Sequence, residues 1–206
     1  MARAILQRVA DYYSGKLARH GPTPRGVDWN GAESQRLRFA QLCKLLPSDR
    51  SFSLNDIGCG YGAMHDYLVG EGYAVRYRGY DVSKAMVEAA RKLPRRKPRP
   101  VFVSARSALR KSDYAVASGL FNVRLDVSDT RWLEHVDGII DLLHLTSRRG
   151  FAFNCLTSYS DAERKRADLY YGDPRRFFHH CMKRYSRQVA VLHDYGLYEF
   201  TVLVRK

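Results

Sequence analysis

Asp56 and Asp81 are the residues whose type and placing say most about the chemistry of this chain. Asp56 opens the stretch Asp56-Ile57-Gly58-Cys59-Gly60-Tyr61-Gly62, and apolar Phe52, Leu54 and Ile57 lead into it. Met64, Tyr67 and Leu68 follow at helical spacing, and Gly70 and Gly72 then break the pattern. A second strand-like run, Ala74 to Tyr80, ends at Asp81. The order is strand, glycine loop, helix, strand, acid. That is half of a doubly wound, nucleotide-binding sheet. An acid closing the second strand can accept both hydroxyls of a ribose. Glycines let a ligand lie close to bare backbone.

Two cofactors fit such a loop. Gly58, Gly60 and Ala63 satisfy the loose dinucleotide fingerprint G-x-G-x-x-G/A, which points to a nicotinamide or flavin. Asp56 argues the other way. A pyrophosphate is anionic and gains nothing from a carboxylate two residues before the first glycine. S-adenosylmethionine carries a sulfonium and an ammonium, and does gain from one. The spelling D-x-G-x-G-x-G, with Asp81 ending the next strand, resembles the class I S-adenosylmethionine-dependent methyltransferases. A tight strand-to-helix turn whose glycines serve geometry alone leaves the two strand-end acids unexplained.

The resemblance implies S-adenosylmethionine as cofactor and S-adenosylhomocysteine as product. It places Gly58 and Gly60 near the methionine part, within the loop that also holds Cys59, Tyr61 and Gly62. Asp56 would orient the amino group, Asp81 would bind both ribose hydroxyls, and Val82 would pack on the adenine. The third strand end reads Ser104-Ala105-Arg106, where many members carry an acid for the adenine amino group. This chain has none at Ser104, and Ala105 is taken as the contact there. The fourth end, Ala117 to Asn122, offers Ser118 to cofactor and chemistry and Asn122 to chemistry, with Phe121 as a channel wall. Asn122 reads equally as a turn residue. The segment is neither Asn-Pro-Pro-Tyr nor Asp-Pro-Pro-Tyr, which counts against a DNA base as acceptor. Trp29, Tyr12 and Tyr13 belong to the cap, and caps in this family often close over the site, so Trp29 would face the sulfonium by cation–π attraction, or else serve ordinary packing of the cap onto the sheet.

Later strand ends give weaker candidates. Thr157, Tyr159 and Tyr195 would line an acceptor pocket. His193 and Asp194 look like an acid–base pair, but strand neighbours point to opposite faces, so His193 reads as a sheet histidine. His179 and His180 diverge on a helix and cannot chelate one ion together, and no metal is expected. Tyr170 to Pro174 reads as part of a lid or as a helix-starting turn.

The elements that must position these residues follow from periodicity. Helices are expected near 2–19, 32–46, 63–70, 84–93, 130–147 and 174–185, with Ser83 capping the fourth at Lys84. Strands are expected near 52–57, 74–80, 101–104, 114–118, 150–155, 188–194 and 198–205, the last two joined at Gly196 as a hairpin. The fold class is α/β, a doubly wound, mostly parallel seven-stranded sheet with a C-terminal antiparallel hairpin and an N-terminal helical cap. Residues 1–49 form the cap and 50–206 the cofactor-binding part of one domain.

The chain has 206 residues and a formal net charge of +14, densest from Arg91 to Pro100 and continuing to Lys111. That run reads as a solvated loop, or as a footprint for nucleic acid. Reversing Arg95, Arg96 and Lys97 is therefore expected to leave cofactor affinity unchanged. The four cysteines lack metal-binding spacing, which suits a reduced, cytoplasmic protein. No apolar run approaches the roughly 20 residues of a membrane span. Met1 to Leu17 is amphipathic and poor in acids, and reads as mature structure, with a transit peptide as the alternative. Three functions stay open: methyl transfer to a small molecule, methyl transfer to RNA or other nucleic acid through the 91–111 region, and non-catalytic cofactor binding. A monomer or homodimer without membrane partners is expected.

Overall fold

The computed structural model describes residues 2–206, with side chains from Ala4 onward. Met1 and the Arg3 side chain, on which part of the N-terminal expectation rests, lie outside the described residues. The elements are α1 (Ala2–His20), α2 (Ala32–Cys43), β1 (Ser51–Ile57), α3 (Ala63–Gly70), β2 (Ala74–Tyr80), α4 (Lys84–Lys92) and β3 (Val101–Val103). There follow β4 (Ser112–Ala117), α5 (Asp129–Thr146), β5 (Ser147–Leu156), α6 (Pro174–Arg184), β6 (Gln188–Leu192) and β7 (Glu199–Arg205). Single 3₁₀ turns occur at Pro24–Val27, Arg106–Ala108 and Ala162–Arg164.

Local chemistry explains several boundaries. The Ser83 hydroxyl accepts the Met86 N–H and caps α4, as its position in the sequence suggests. Asp173 accepts the Arg175 N–H, and Pro174 takes the first position of α6. The Tyr170–Pro174 segment is thus a helix start. β5 is buried from Gly150 to Cys155 and β7 from Glu199 to Val204, because both faces are covered.

The sheet has seven strands in the order β3-β2-β1-β4-β5-β7-β6. Strands β1 to β5 pair in parallel, whereas β7 lies antiparallel between β5 and β6. The mostly parallel sheet and terminal hairpin match the sequence expectation. One boundary differs. β6 stops at Leu192, so His193 and Asp194 fall in the exposed loop before β7 rather than on a strand.

Two apolar layers sandwich the sheet. Trp132, Val136, Ile140 and Leu143 of α5 and Phe177 of α6 pack with Phe151 and Phe153 on one face. Leu68 of α3 and Val87 of α4 pack with Leu54, Val116 and Leu203 on the other. The N-terminal helices divide between the layers: Val9 of α1 joins the first, and Phe39 and Leu42 of α2 join the second. They do not sit together over one sheet edge. β1 leads outward to β2 and β3, while β4 leads the opposite way to β5. The crevice beyond the carboxyl ends of β1 and β4 is where such a sheet accepts a ligand.

Candidate active site

The loop after β1 is fastened on both sides. Gly58 N–H and Cys59 N–H both donate to the Tyr80 carbonyl, at 2.7 and 3.0 Å. Gly60 N–H donates to Asp81 Oδ2 at 2.9 Å, and Ser83 N–H donates to Asp81 Oδ1 at 2.8 Å. Asp81 therefore ties the glycine loop to the start of α4. Gly62 begins α3 in the left-handed region, at φ 84°, and a Cβ there would lie 2.6 Å from the Phe102 ring. Only glycine fits that turn.

Arg95 holds the loop from outside. Its guanidinium donates to the Tyr61 carbonyl, to the Gly62 carbonyl at 3.2 Å and to Asp66, and its side chain is 6% exposed. Arg91 likewise turns inward, to the Phe102 carbonyl at 2.6 Å. This corrects the reading of the basic run as one solvated loop. Arg96, Lys97 and Arg99 are exposed, but Arg95 is a structural clamp.

A cavity of about 240 Å³ opens over this loop. Asp56, Gly58, Cys59, Gly60, Tyr61, Asp81, Val82, Ser118 and Trp29 border it, which brings together nine of the residues singled out in the sequence. Gly62 and Ala105 lie outside its wall. Gly62 is taken up by the turn into α3. Ala105 is exposed, and its neighbour Arg106 faces the cavity instead, because β3 ends at Val103 and the chain turns into a 3₁₀ segment. Tyr13, Val27, Gln35 and α5 residues such as His135 complete the wall. The Tyr61 hydroxyl donates to Gln35 Oε1 at 3.2 Å, linking α2 to the loop. No spacing in the sequence announces Gln35 or the α5 face, since both read as ordinary helix positions.

Both acids are buried carboxyls. Burial pushes Asp81 up to about 6, against the two backbone N–H groups that favour its charge. Burial pushes Asp56 up to about 7; the Tyr77 hydroxyl donates to it and opposes the shift, and the charge of Asp81 adds to it. Ser118 Oγ is buried with no hydrogen-bond partner among the described residues.

A second cavity, of about 590 Å³, adjoins the first, and Tyr13, Val27, Trp29 and Gly119 border both. Asn122, Tyr171, Tyr198, Arg38, Arg164 and Glu199 line it further out. Asn122 belongs to this chamber, and its Oδ1 also accepts the Leu156 N–H at 3.2 Å, bracing the β4 loop against β5. Thr157, Tyr159 and Tyr195 are not in its wall. β5 ends at Leu156, and the loop beyond turns Ser160 and Tyr171 inward instead. His193 and Asp194 take no part either.

Trp29 sits at the junction of the two cavities. Its ring edge fills the space a Cβ on Gly119 would occupy, 2.2 Å from Cζ2. The cation over its face is Arg38, 4.0 Å from the ring centroid. Arg38 in turn donates to both carboxylate oxygens of Glu199, at 2.8 and 2.7 Å, with side chains 9% and 1% exposed.

Comparison with known proteins agrees with this architecture. Residues 55–120 match the family described as "Methyltransferase domain". A relative from Mycobacterium tuberculosis (strain ATCC 25618 / H37Rv), named "Putative methyltransferase Rv1506c", is 56% identical over 155 residues, covering 75% of this chain and 93% of the relative. Magnesium protoporphyrin IX methyltransferase (ChlM) from Synechocystis PCC 6803, solved with bound SAH, superposes with a TM-score of 0.72 at 14% identity, over 97% of this chain and 99% of that one. The 1,6-didemethyltoxoflavin-N1-methyltransferase of Burkholderia thailandensis gives 0.59 at 17% identity, over 98% and 90%. At these identities the two structures speak for the fold. The chain belongs to the class I S-adenosylmethionine-dependent methyltransferases. It is an enzyme of that class, and S-adenosylmethionine is its cofactor.

Proposed function

We propose that this enzyme methylates a small molecule held in the larger cavity, with S-adenosylmethionine in the smaller one. The observation that carries the reading is the shared wall of Tyr13, Val27, Trp29 and Gly119, which lets two ligands meet. The smaller cavity suits the cofactor. Asp81 already accepts one N–H on each oxygen and keeps lone pairs for two ribose hydroxyls. Ser118 Oγ offers an unused donor and acceptor. Asp56 supplies negative charge near the loop. Arg106 takes the adenine-side place first given to Ala105.

When bound, S-adenosylmethionine supplies an activated methyl group on a leaving sulfur. The chain supplies orientation, which is worth about 7–11 kcal/mol in well-aligned systems. Trp29 packs directly on Gly119 where the two cavities adjoin, and the apolar walls exclude water. No histidine lines the larger cavity among the described residues. Asp28 accepts from Tyr12 at 2.7 Å and from Lys16, and Glu199 is held by Arg38. An orientation-driven transfer needs no strong base.

The assay is transfer of labelled methyl from S-adenosylmethionine to fractionated metabolites and, separately, to RNA. Label in a small-molecule fraction is expected. Label confined to RNA would overturn the reading. No described helix is long and apolar enough to cross a membrane. All four cysteines are free, which supports a cytoplasmic setting.

Two predictions belong to the cofactor site. Asp56 and Asp81 have raised pKa values in the free protein, and a bound cation favours their ionised forms. Binding therefore releases protons and tightens as pH rises, levelling off above about pH 7. Calorimetry should show affinity about tenfold or more weaker at pH 5.5 than at pH 8. Constant affinity across that range would mean neither acid meets the ligand. Next, Arg95→Glu is expected to lower the melting temperature and to weaken cofactor binding, because it unclamps Tyr61 and Gly62. Reversing Arg96 and Lys97 alone should change neither quantity. Identical behaviour of the two variants would refute the clamp.

A further inference from the structure

We propose that the acceptor presents an anionic oxygen, of a carboxylate or a phosphonate-type oxyacid, and that Arg164 binds it. This deepens the small-molecule reading above and rests on it.

Three arginines border the larger cavity: Arg38, Arg164 and Arg166. Their donors are not equally engaged. Arg38 gives two hydrogen bonds to Glu199 and a third to the Ser34 carbonyl at 2.8 Å. Arg166 gives two to Asp168, at 3.0 and 2.6 Å. Arg164 differs. Its nearest carboxylate is Asp161, at 3.9 Å, beyond hydrogen-bond reach. That carboxylate already accepts the Tyr198 hydroxyl. The Arg164 guanidinium instead lies over the Tyr198 ring, 5.5 Å from its centroid. No hydrogen bond from it is found among the described residues. The Arg164 side chain is 67% exposed, so water serves its donors in the free protein. A planar fork thus stands at the cavity rim with no protein partner to displace, and such a fork matches an oxyacid in two-point contact.

The chamber's acids point to the same acceptor. Asp28 and Glu199 are its carboxylates, and each is already paired with a cation, Lys16 and Arg38. Neither can hold an amine or take a proton from a hydroxyl without breaking a pair. A cationic acceptor would face guanidinium groups with no free counter-charge. An oxyanion needs neither service, since it arrives without its proton. Its oxygen lone pair forms the bond to the methyl carbon, the carbon–sulfur bond breaks, and that electron pair stays on sulfur. No proton moves. One negative and one positive charge cancel, leaving a methyl ester and a neutral thioether. A carboxylate ester has lost the charge that Arg164 held, and a phosphonate monoester carries one negative charge fewer than its dianion, so the product is held less tightly than the substrate. The rings of Trp29, Tyr171 and Tyr198 line the same chamber and suit a flat or apolar body behind the oxyacid.

The test is ligand-detected NMR on the protein saturated with S-adenosylhomocysteine. The probes are benzoate and phenylphosphonate, set against benzamide and benzylamine. The oxyanions are expected to bind at least about tenfold tighter than benzamide, and less tightly as salt rises. The preferred one of the two names the oxyacid. Arg164→Gln should cut that binding about fivefold or more with S-adenosylhomocysteine affinity unchanged, and Arg164→Lys should restore part of it. Equal binding of benzamide, tighter binding of benzylamine, no measurable oxyanion binding, or an unchanged Arg164→Gln variant each overturns the proposal. Methyl transfer to a neutral alcohol or an amine would overturn the oxyacid but keep the small-molecule reading. Transfer to RNA alone would remove both.

Discussion

Asp81→Asn is expected to weaken S-adenosylmethionine binding at least about a hundredfold, or some 2.8 kcal/mol, in a protein that stays folded. The size follows from the bonds lost. A hydrogen bond to a charged group contributes about 1.5–3 kcal/mol, and the carboxylate is positioned to make two with a ribose. The fold survives for a separate reason. Asparagine keeps the shape and one acceptor, so it still serves Gly60 N–H or Ser83 N–H. It also removes a buried charge whose desolvation lifts the Asp81 pKa to about 6. Asp81→Ala strips the acceptor from both N–H groups, so its loss of binding mixes with a loosened loop. Titration calorimetry with circular dichroism on each variant separates the effects. Full affinity in folded Asp81→Asn would sink the ribose assignment.

Arg38→Met should cost the most stability of any single change near the acceptor chamber. It leaves Glu199, 1% exposed, without its partner. Removing one member of a buried pair costs about 3–5 kcal/mol, because the remaining charge stays desolvated. For a chain of this length that corresponds to a fall in Tm of about 6–20 °C. The double variant Arg38→Met/Glu199→Leu removes both charges and should recover most of the loss, as methionine and leucine fill the space with apolar atoms. Arg38 also supports Trp29 through its face. The single variant should therefore impair acceptor use more than cofactor binding. Scanning calorimetry gives the stability values. A single variant as stable as the parent, or a double no better than the single, would contradict the description of this pair.

Much of the smaller cavity was legible from spacing alone, because the elements that build it are contiguous. Strand, loop, helix and strand run from Phe52 to Asp81 without a gap, so strand ends could be read directly as site positions. The hairpin was legible because Gly196 separates two apolar runs. The larger cavity was not, for the opposite reason. Arg38 and Glu199 come from α2 and β7, and nothing in either segment marks its partner. Tyr171 and Tyr198 border the larger cavity where Tyr159 and Tyr195 were expected to, since alternation stops being informative where β5 ends at Leu156. Arg95 sat within a run of like charges, and only the fold shows that its neighbours face water while it grips two loop carbonyls. Ala105 missed by one residue, at a 3₁₀ turn that periodicity does not reveal.

The most direct measurement is a crystal structure of the enzyme with S-adenosylhomocysteine. Density is expected in the 240 Å³ cavity, with both ribose hydroxyls on Asp81 and the sulfur facing Trp29 and Gly119 toward the larger chamber. Ribose contacts made elsewhere, or a sulfur directed away from that junction, would contradict that placement.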